Sequence, residues 1–192
     1  MEDSPKNLTT MGEERRILFT TGTQRVLEFF LDNPWEEFTA KDLLLRVDVS
    51  KSNIYNALKR LTEGGFLRQE VKGGIYFYSL NCDNPVVKQL KILKAVTKIQ
   101  PLIERLKKIS SRIVLFGSAS RGENTKDSDI DLFIVTHNKK AIEKEITKFG
   151  LKQRIQAVKK TELEYVELKR SDPVFYEQIN RGFLLWEAED ES

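Results

Sequence analysis

Residues 116–135 read FGSASRGENTKDSDIDLFIV. Before them, the β-rich run RIVLF at 112–116 stops at Gly117-Ser118. A polar, glycine-containing stretch follows, and then Ser128-Asp129-Ile130-Asp131 leads into the apolar run LFIV at 132–135. Side chains alternate along a strand, so Asp129 and Asp131 face the same way. Two carboxylates side by side repel each other and call for a cation. Oxygen donors at this spacing suit Mg²⁺, which keeps waters and phosphate oxygens in its shell. Gly117 lets the backbone approach a phosphate closely. The Ser118 hydroxyl and the N–H groups after it offer donors to phosphate oxygens.

Each of these signals is weak alone, and the combination is specific. Gly117-Ser118, ten residues, and Asp129-x-Asp131 between two apolar strands resemble the nucleotidyltransferase superfamily that includes DNA polymerase β. The fuller string at 116–135 is similar to the minimal nucleotidyltransferases of that superfamily, with Arg121-Gly122 and Ser128 also in matching positions. The resemblance implies that Asp129 and Asp131 are the metal-binding, catalytic carboxylates. It implies that Gly117, Ser118, Arg121 and Ser128 bind the nucleotide. The activity implied is Mg²⁺-dependent transfer of an NMP from an NTP, with ATP the expected donor, to a hydroxyl acceptor on a protein, nucleic acid or small molecule. The family's third carboxylate sits on a later strand, matched here by residues 154–158, where Gln156 takes its place. A neutral amide ligates metal weakly and cannot act as a general base. Glu162 or Glu164 could substitute. The outcomes left open are a slow enzyme, one completed by a partner's residue, or a nucleotide-binding domain without turnover.

Upstream, residues 23–31 and 40–47 read as helices, the second capped by Thr39 with Leu43, Leu44 and Leu45 as apolar contacts. Ser50 is expected to cap a third helix to about residue 62, and Gly64-Gly65 ends it. Residues 66–71 and 75–80 look like strands joined at Gly73-Gly74, whose glycines suit a tight hairpin. The stretch 38–67 resembles the winged helix-turn-helix of many prokaryotic regulators. That resemblance implies DNA contacts from the third helix by Lys51, Ser52, Asn53, Tyr55, Asn56 and Lys59. The competing reading is a scaffold for protein contact or dimerisation.

The net charge of +3 is unevenly placed. Residues 1–82 carry −1, residues 83–111 carry +5 and residues 112–192 carry −1. In the middle segment Lys88, Lys91, Lys94 and Lys98 recur every three or four residues and share a helix face. That face is either a solvated surface or a phosphate-contacting stripe. Pro101 is expected to split the segment into two helices or to kink one.

The expected fold class is α+β, in four parts. These are a flexible N-terminus (1–14), a winged helix-turn-helix (15–82), a helical linker (83–110) and a nucleotidyltransferase α/β domain with a mixed sheet (111–192). One cysteine, Cys82, and one histidine, His137, exclude an internal disulfide and a His/Cys zinc site. His137 is read as a loop residue. No apolar run is long enough for a membrane helix, and no signal-like segment opens the chain, so a cytoplasmic protein is expected. The expected partners are a nucleotide, DNA, a protein acceptor in an antitoxin-like role, and a second copy as homodimer. The alternative is a DNA-binding transcriptional regulator whose degenerate transferase domain senses nucleotide.

Overall fold

The computed structural model describes residues 18–125 and 127–189. The chain divides into two compact units, one ending at Lys94 and the other beginning at Ala95. The flexible segment expected at 1–14 lies outside the described residues.

The first unit is built on three short helices and a hairpin. Helix α1 (Gly22–Asp32) and helix α2 (Ala40–Arg46) each start with a reciprocal capping box, Thr21 with Gln24 and Thr39 with Asp42. These boxes satisfy N–H groups that a helix start otherwise leaves open. Helix α3 (Lys51–Glu63) begins after Ser50, whose side chain makes no capping bond, contrary to expectation. Strands β2 (Leu67–Lys72) and β3 (Ile75–Leu80) form an antiparallel hairpin. Its turn residues Gly73 and Gly74 both have positive φ, at 58° and 80°. A two-residue strand β1 (Glu37–Phe38), which no local pattern announces, completes a sheet in the order β1-β3-β2. Val26, Phe30, Leu43, Ile54, Leu58, Leu61, Leu67 and Leu80 form the core. Of the three consecutive leucines of α2 only Leu43 is buried; Leu45 is 79% exposed.

Helix α4 (Pro85–Leu106) runs unbroken for 22 residues with Pro101 inside it. Of the two forms expected at Pro101, two separate helices do not occur. Asn84 Oδ1 accepts from the N–H groups of Val86 and Val87 at its start. Val87 and Leu90 join the core of the first unit, whereas Ala95, Ile99, Leu102, Ile103 and Leu106 join that of the second. Three lysines of the basic stripe have intramolecular partners. Lys91 is buried with Nζ 5.2 Å from the Trp35 ring centre. Lys94 Nζ lies 2.6 Å from Asp32 and 3.5 Å from the buried Glu28. Lys98 donates to Gln153 at 2.8 Å. Lys91, Lys94 and Lys98 are thus engaged by a ring, carboxylates and an amide within the protein.

The second unit is a four-stranded mixed sheet in the order β6-β5-β4-β7. Its strands are β4 (Arg112–Phe116), β5 (Ile130–Val135), β6 (Ile155–Lys160) and β7 (Phe183–Glu187). Only β5 and β6 are parallel, and α5 (Lys139–Phe149) is the crossover between them. Alternation then sorts the strands' side chains. Ile113, Leu115, Leu132 and Ile134 pack with α4 and with Ile142 of α5. Val114, Phe116, Phe133 and Val135 pack with α6 (Glu162–Ser171) and α7 (Pro173–Asn180) through Leu168, Phe175 and Ile179. Both faces of the central strands are covered, which explains the uninterrupted runs IVLF and LFIV. Among the described residues no helix is long and apolar enough to cross a membrane.

At the junction of β6 and α6, Glu164 accepts from Lys139 Nζ and from the Thr161 N–H, closing a capping box. The Lys139 bond, and then the Thr161 bond, hold its carboxyl down at about 2, against an ordinary 4.5. A depressed carboxyl stabilises the fold above its ordinary pKa and loses that effect as pH falls through the depressed value. Glu164→Gln keeps a capping side chain but not the charge. The variant is expected to melt below wild type above pH 4.5, with the gap closing as pH falls toward 2. Thermal melts across that range measure it.

Candidate active site

The end of β4, the start of β5 and the start of β6 converge on one edge of the sheet. Phe116 pairs with Asp131, and Asp131 pairs with Gln156. Neighbours in register point to the same side, so Asp131 and Gln156 stand together on the face that α6 and α7 cover further along. Gly117 follows Phe116 with φ at +69°, a left-handed conformation that favours glycine. A Cβ there would lie 2.2 Å from Asp131 Oδ2. The glycine turn and the carboxylate are therefore in direct contact.

Asp131 is half-buried, and burial, then the Asp129 carboxylate, push its carboxyl above the usual aspartate range. Desolvation and like charge both penalise the ionised form. Arg154 Nε stands 4.0 Å from Asp129 Oδ2. Two carboxylates and the neighbouring amide of Gln156 make an all-oxygen donor set of the kind a hard divalent cation accepts. Among the described residues no group of three or more His, Cys, Asp or Glu side chains gathers around one point.

Neither glutamate considered as a replacement reaches this edge. Glu162 accepts from the Ser111 hydroxyl, and Ser111 bonds Val135 at the far end of β5. Glu164 is held by Lys139 and Thr161. Gln156 and the end of β6 are about 13 Å apart along the strand, and both glutamates follow that end.

The loop before Asp129 has its own supports. Ser118 leads a single 3-10 turn, Ala119–Arg121. Its carbonyl accepts from the N–H groups of Arg121 and Glu123. Arg121 pairs with Glu123 at 2.8 Å. The Ser128 hydroxyl accepts from the Thr125 N–H at 2.8 Å, within the turn. Gln153 Nε2 donates to the Ser128 carbonyl at 2.6 Å, and its Oε1 accepts from Lys98. This strut from α4 to the carboxylate loop has no motif and was not read from the sequence. His137 is exposed, at the other end of β5 from the carboxylates.

In the first unit, Lys51, Ser52, Asn53, Tyr55, Asn56 and Lys59 are all exposed on α3, while Ile54, Ala57 and Leu58 between them are buried. The structure thus brings these six onto one helix surface. Cys82 is half-buried with Sγ 3.5 Å from the Pro34 carbonyl, and burial raises its thiol pKa.

A glycine turn seated against paired carboxylates at the edge of a small mixed sheet defines the class as a nucleotidyltransferase-type domain. Residues 97–191 match the family described as "Polymerase beta, Nucleotidyltransferase" and form a domain of that family. No curated protein matches the chain. A solved structure, TrmBL2, an archaeal chromatin protein described as showing a novel mode of DNA binding, matches at 15% identity with a TM-score of 0.31. The match covers 89% of this chain and 74% of that one. A likeness at that score carries no argument.

Gly117→Ala is expected to destabilise the protein by about 1–3 kcal/mol through backbone strain, with a further cost from the contact with Asp131. Combining it with Asp131→Ala should recover the contact cost but not the strain. Urea denaturation of the two single variants and the double variant measures this coupling.

Proposed function

We propose that the C-terminal unit transfers a nucleoside monophosphate from an NTP, ATP first among them, to a hydroxyl acceptor, whose oxygen bonds to the α-phosphorus and loses its proton as the α–β phosphoanhydride bond breaks and pyrophosphate leaves. The observation that carries the reading is the contact of the Gly117 turn with the Asp131 carboxylate, because it joins a left-handed glycine turn to the aspartate pair at one sheet edge. Asp129 and Asp131 would hold Mg²⁺, and the raised carboxyl of Asp131 fits a pair that a cation relieves. When bound, the metal supplies charge neutralisation for the triphosphate and acidifies the acceptor hydroxyl.

The chain's own groups do the positioning. Gly117, in its left-handed turn, would let backbone N–H groups approach a phosphate on the side away from Asp131. Ser118 offers its hydroxyl to that phosphate. Arg121, whose guanidinium already engages Glu123, places positive charge at the loop's outer rim. Ser128, whose hydroxyl is inside the turn, serves by shaping the loop ahead of Asp129. Gln156 donates or accepts a hydrogen bond beside Asp131 but takes no proton from an acceptor, so proton removal falls to the aspartates or to solvent.

For the N-terminal unit we propose a winged helix-turn-helix that binds DNA through Lys51, Ser52, Asn53, Tyr55, Asn56 and Lys59. Helix α3 carries Lys51, Lys59 and Arg60 before its first acid, Glu63, and its exposed surface is a row of hydrogen-bonding and cationic side chains. An antitoxin-like protein that modifies a partner and binds DNA, as monomer or homodimer, would use both units. Gln156 specifically favours a second reading, a DNA-binding regulator whose transferase domain senses nucleotide without turnover.

Labelled NTPs with Mg²⁺ or Mn²⁺ and candidate acceptors separate the two. Transfer that disappears in Asp129→Asn and Asp131→Asn supports the enzyme. Nucleotide binding without transfer to any acceptor supports the sensor. Restoring a carboxylate with Gln156→Asp is expected to raise transfer at least about tenfold, as for a missing base worth 10²–10⁴ in full. A thermal shift provides a separate check. Asp131→Asn should raise the melting temperature in the absence of divalent cation, because it removes a repulsion, and should abolish the further rise that Mg²⁺ gives wild type.

A further inference from the structure

Helix α3 and the β2–β3 hairpin each expose tyrosine that the nucleotidyltransferase reading leaves unused. On α3, Tyr55 lies four residues after Lys51 and four before Lys59. Residues four apart are neighbours on a helix surface, with Cβ atoms about 5–6 Å apart. Lysine, tyrosine and lysine therefore form one row. Tyr55 is 50% exposed and the Lys59 side chain 75%.

The hairpin extends the surface. Its core-facing pair, Leu67 with Leu80, is buried. On the same face the next pair outward is Gln69 with Tyr78, and the next is Val71 with Tyr76. A face that begins as core thus continues as an aromatic ladder. Tyr78 is half-buried, Tyr76 is 53% exposed and Val71 57%. Tyr78 packs against the core that Ile54, Leu58 and Leu61 of α3 share with Leu67 and Leu80 of the hairpin. Burial, and then the nearby phenols of Tyr76 and Tyr55, raise the Tyr78 hydroxyl above the ordinary phenol range.

The charges beside this ladder differ from those on the opposite face. There, Lys72 bonds Glu37 at 2.6 Å and lies 3.2 Å from Glu70, so that face is paired within the protein. On the tyrosine side the flanking cations are Lys51 and Lys59. The nearest acid in that row is Glu63, 3.9 Å from Lys59. Half-exposed rings on an element pair that also carries exposed ammonium groups complement a ligand with flat faces and regularly spaced negative charge. A duplex stacks its base faces away and offers only edges and phosphates. An unpaired strand offers both faces and phosphates at once.

We propose that Tyr55, Tyr76 and Tyr78, flanked by Lys51 and Lys59, form a stacking platform for the unpaired bases of a single-stranded nucleic acid. This deepens the nucleic-acid reading of the N-terminal unit, on which it rests, by specifying the form of strand that the helix and hairpin take together. The lysines hold the backbone and the tyrosines hold bases.

The test uses the full chain and fluorescence anisotropy with three probes, a 20-mer of thymidine, an abasic 20-mer with the same backbone, and a 20-base-pair duplex. The thymidine strand should bind about tenfold or more tightly than the abasic strand, in line with the worth of one stacked base. Tyr55→Ala should lose about that factor on the thymidine strand, leave the abasic strand unchanged, and be rescued by Tyr55→Phe, which keeps the ring. Lys51→Ala with Lys59→Ala should weaken both strands and flatten the salt dependence. Tyr76→Ala, on the hairpin rather than the helix, gives the same readout if Tyr55→Ala perturbs α3. Equal affinity for thymidine and abasic strands, or tyrosine variants that leave thymidine affinity intact, overturns the platform. If the duplex binds and the single strand does not, the platform fails while the broader nucleic-acid reading stands. If none of the probes binds, both fail.

Discussion

The second unit depends on one close contact, the α-carbon of Gly117 against the carboxylate of Asp131. It requires that β4 and β5 pair so that Phe116 faces Asp131, that the chain leave β4 through a left-handed turn, and that no side chain stand at that turn. The apolar strands supply the first condition. Burial of Ile113, Leu115, Leu132 and Ile134 on one face and Val114, Phe116, Phe133 and Val135 on the other fixes the register, since a slip by one residue would exchange every side chain between faces. Asp131 belongs to the second set and interrupts it at the edge, where a carboxylate can remain half-buried. The site is thus the end of a hydrophobic alternation, with one apolar position given over to charge.

That substitution makes the apo site electrostatically unfavourable. Asp131 carries a raised carboxyl beside Asp129, and the guanidinium of Arg154 reaches Asp129 only at the limit of an ion pair. Functional sites often hold such tension in reserve. Here the loop that bears it is braced from outside, by Gln153 on the Ser128 carbonyl and by Lys98 behind Gln153. The amide at Gln156 leaves the edge with less negative charge than a third carboxylate would, which eases folding.

Locally encoded features were legible. The glycine turn, the aspartate spacing, the hairpin at Gly73-Gly74 and the cap at Thr39 lie within a few residues of what they organise. Gln156 was matched to the place of a third carboxylate through the family resemblance, and its pairing with Asp131 is supplied by the sheet. Long-range polar choices were not legible. Gln153 and Ser128 are 25 residues apart, and neither carries a periodic signal. The lysines of α4 looked alike in sequence, yet Lys91, Lys94 and Lys98 find a ring, two carboxylates and an amide that tertiary structure alone supplies. Leu43, Leu44 and Leu45 show the same limit, since three adjacent leucines on a seven-residue helix do not reveal which one faces inward.

Helix α4 contributes side chains to two hydrophobic cores along one unbroken backbone, Val87 and Leu90 to the first and Ile99 through Leu106 to the second. Its midpoint, where the units divide, is therefore a poor seam for recombination. A crossover placed there would hand each product half a helix and an incompletely filled interior. Exchanges that preserve both halves must keep residues 85–106 whole, so gene-level shuffling of such a chain would favour breakpoints on either side of the helix rather than at the boundary between its folded units.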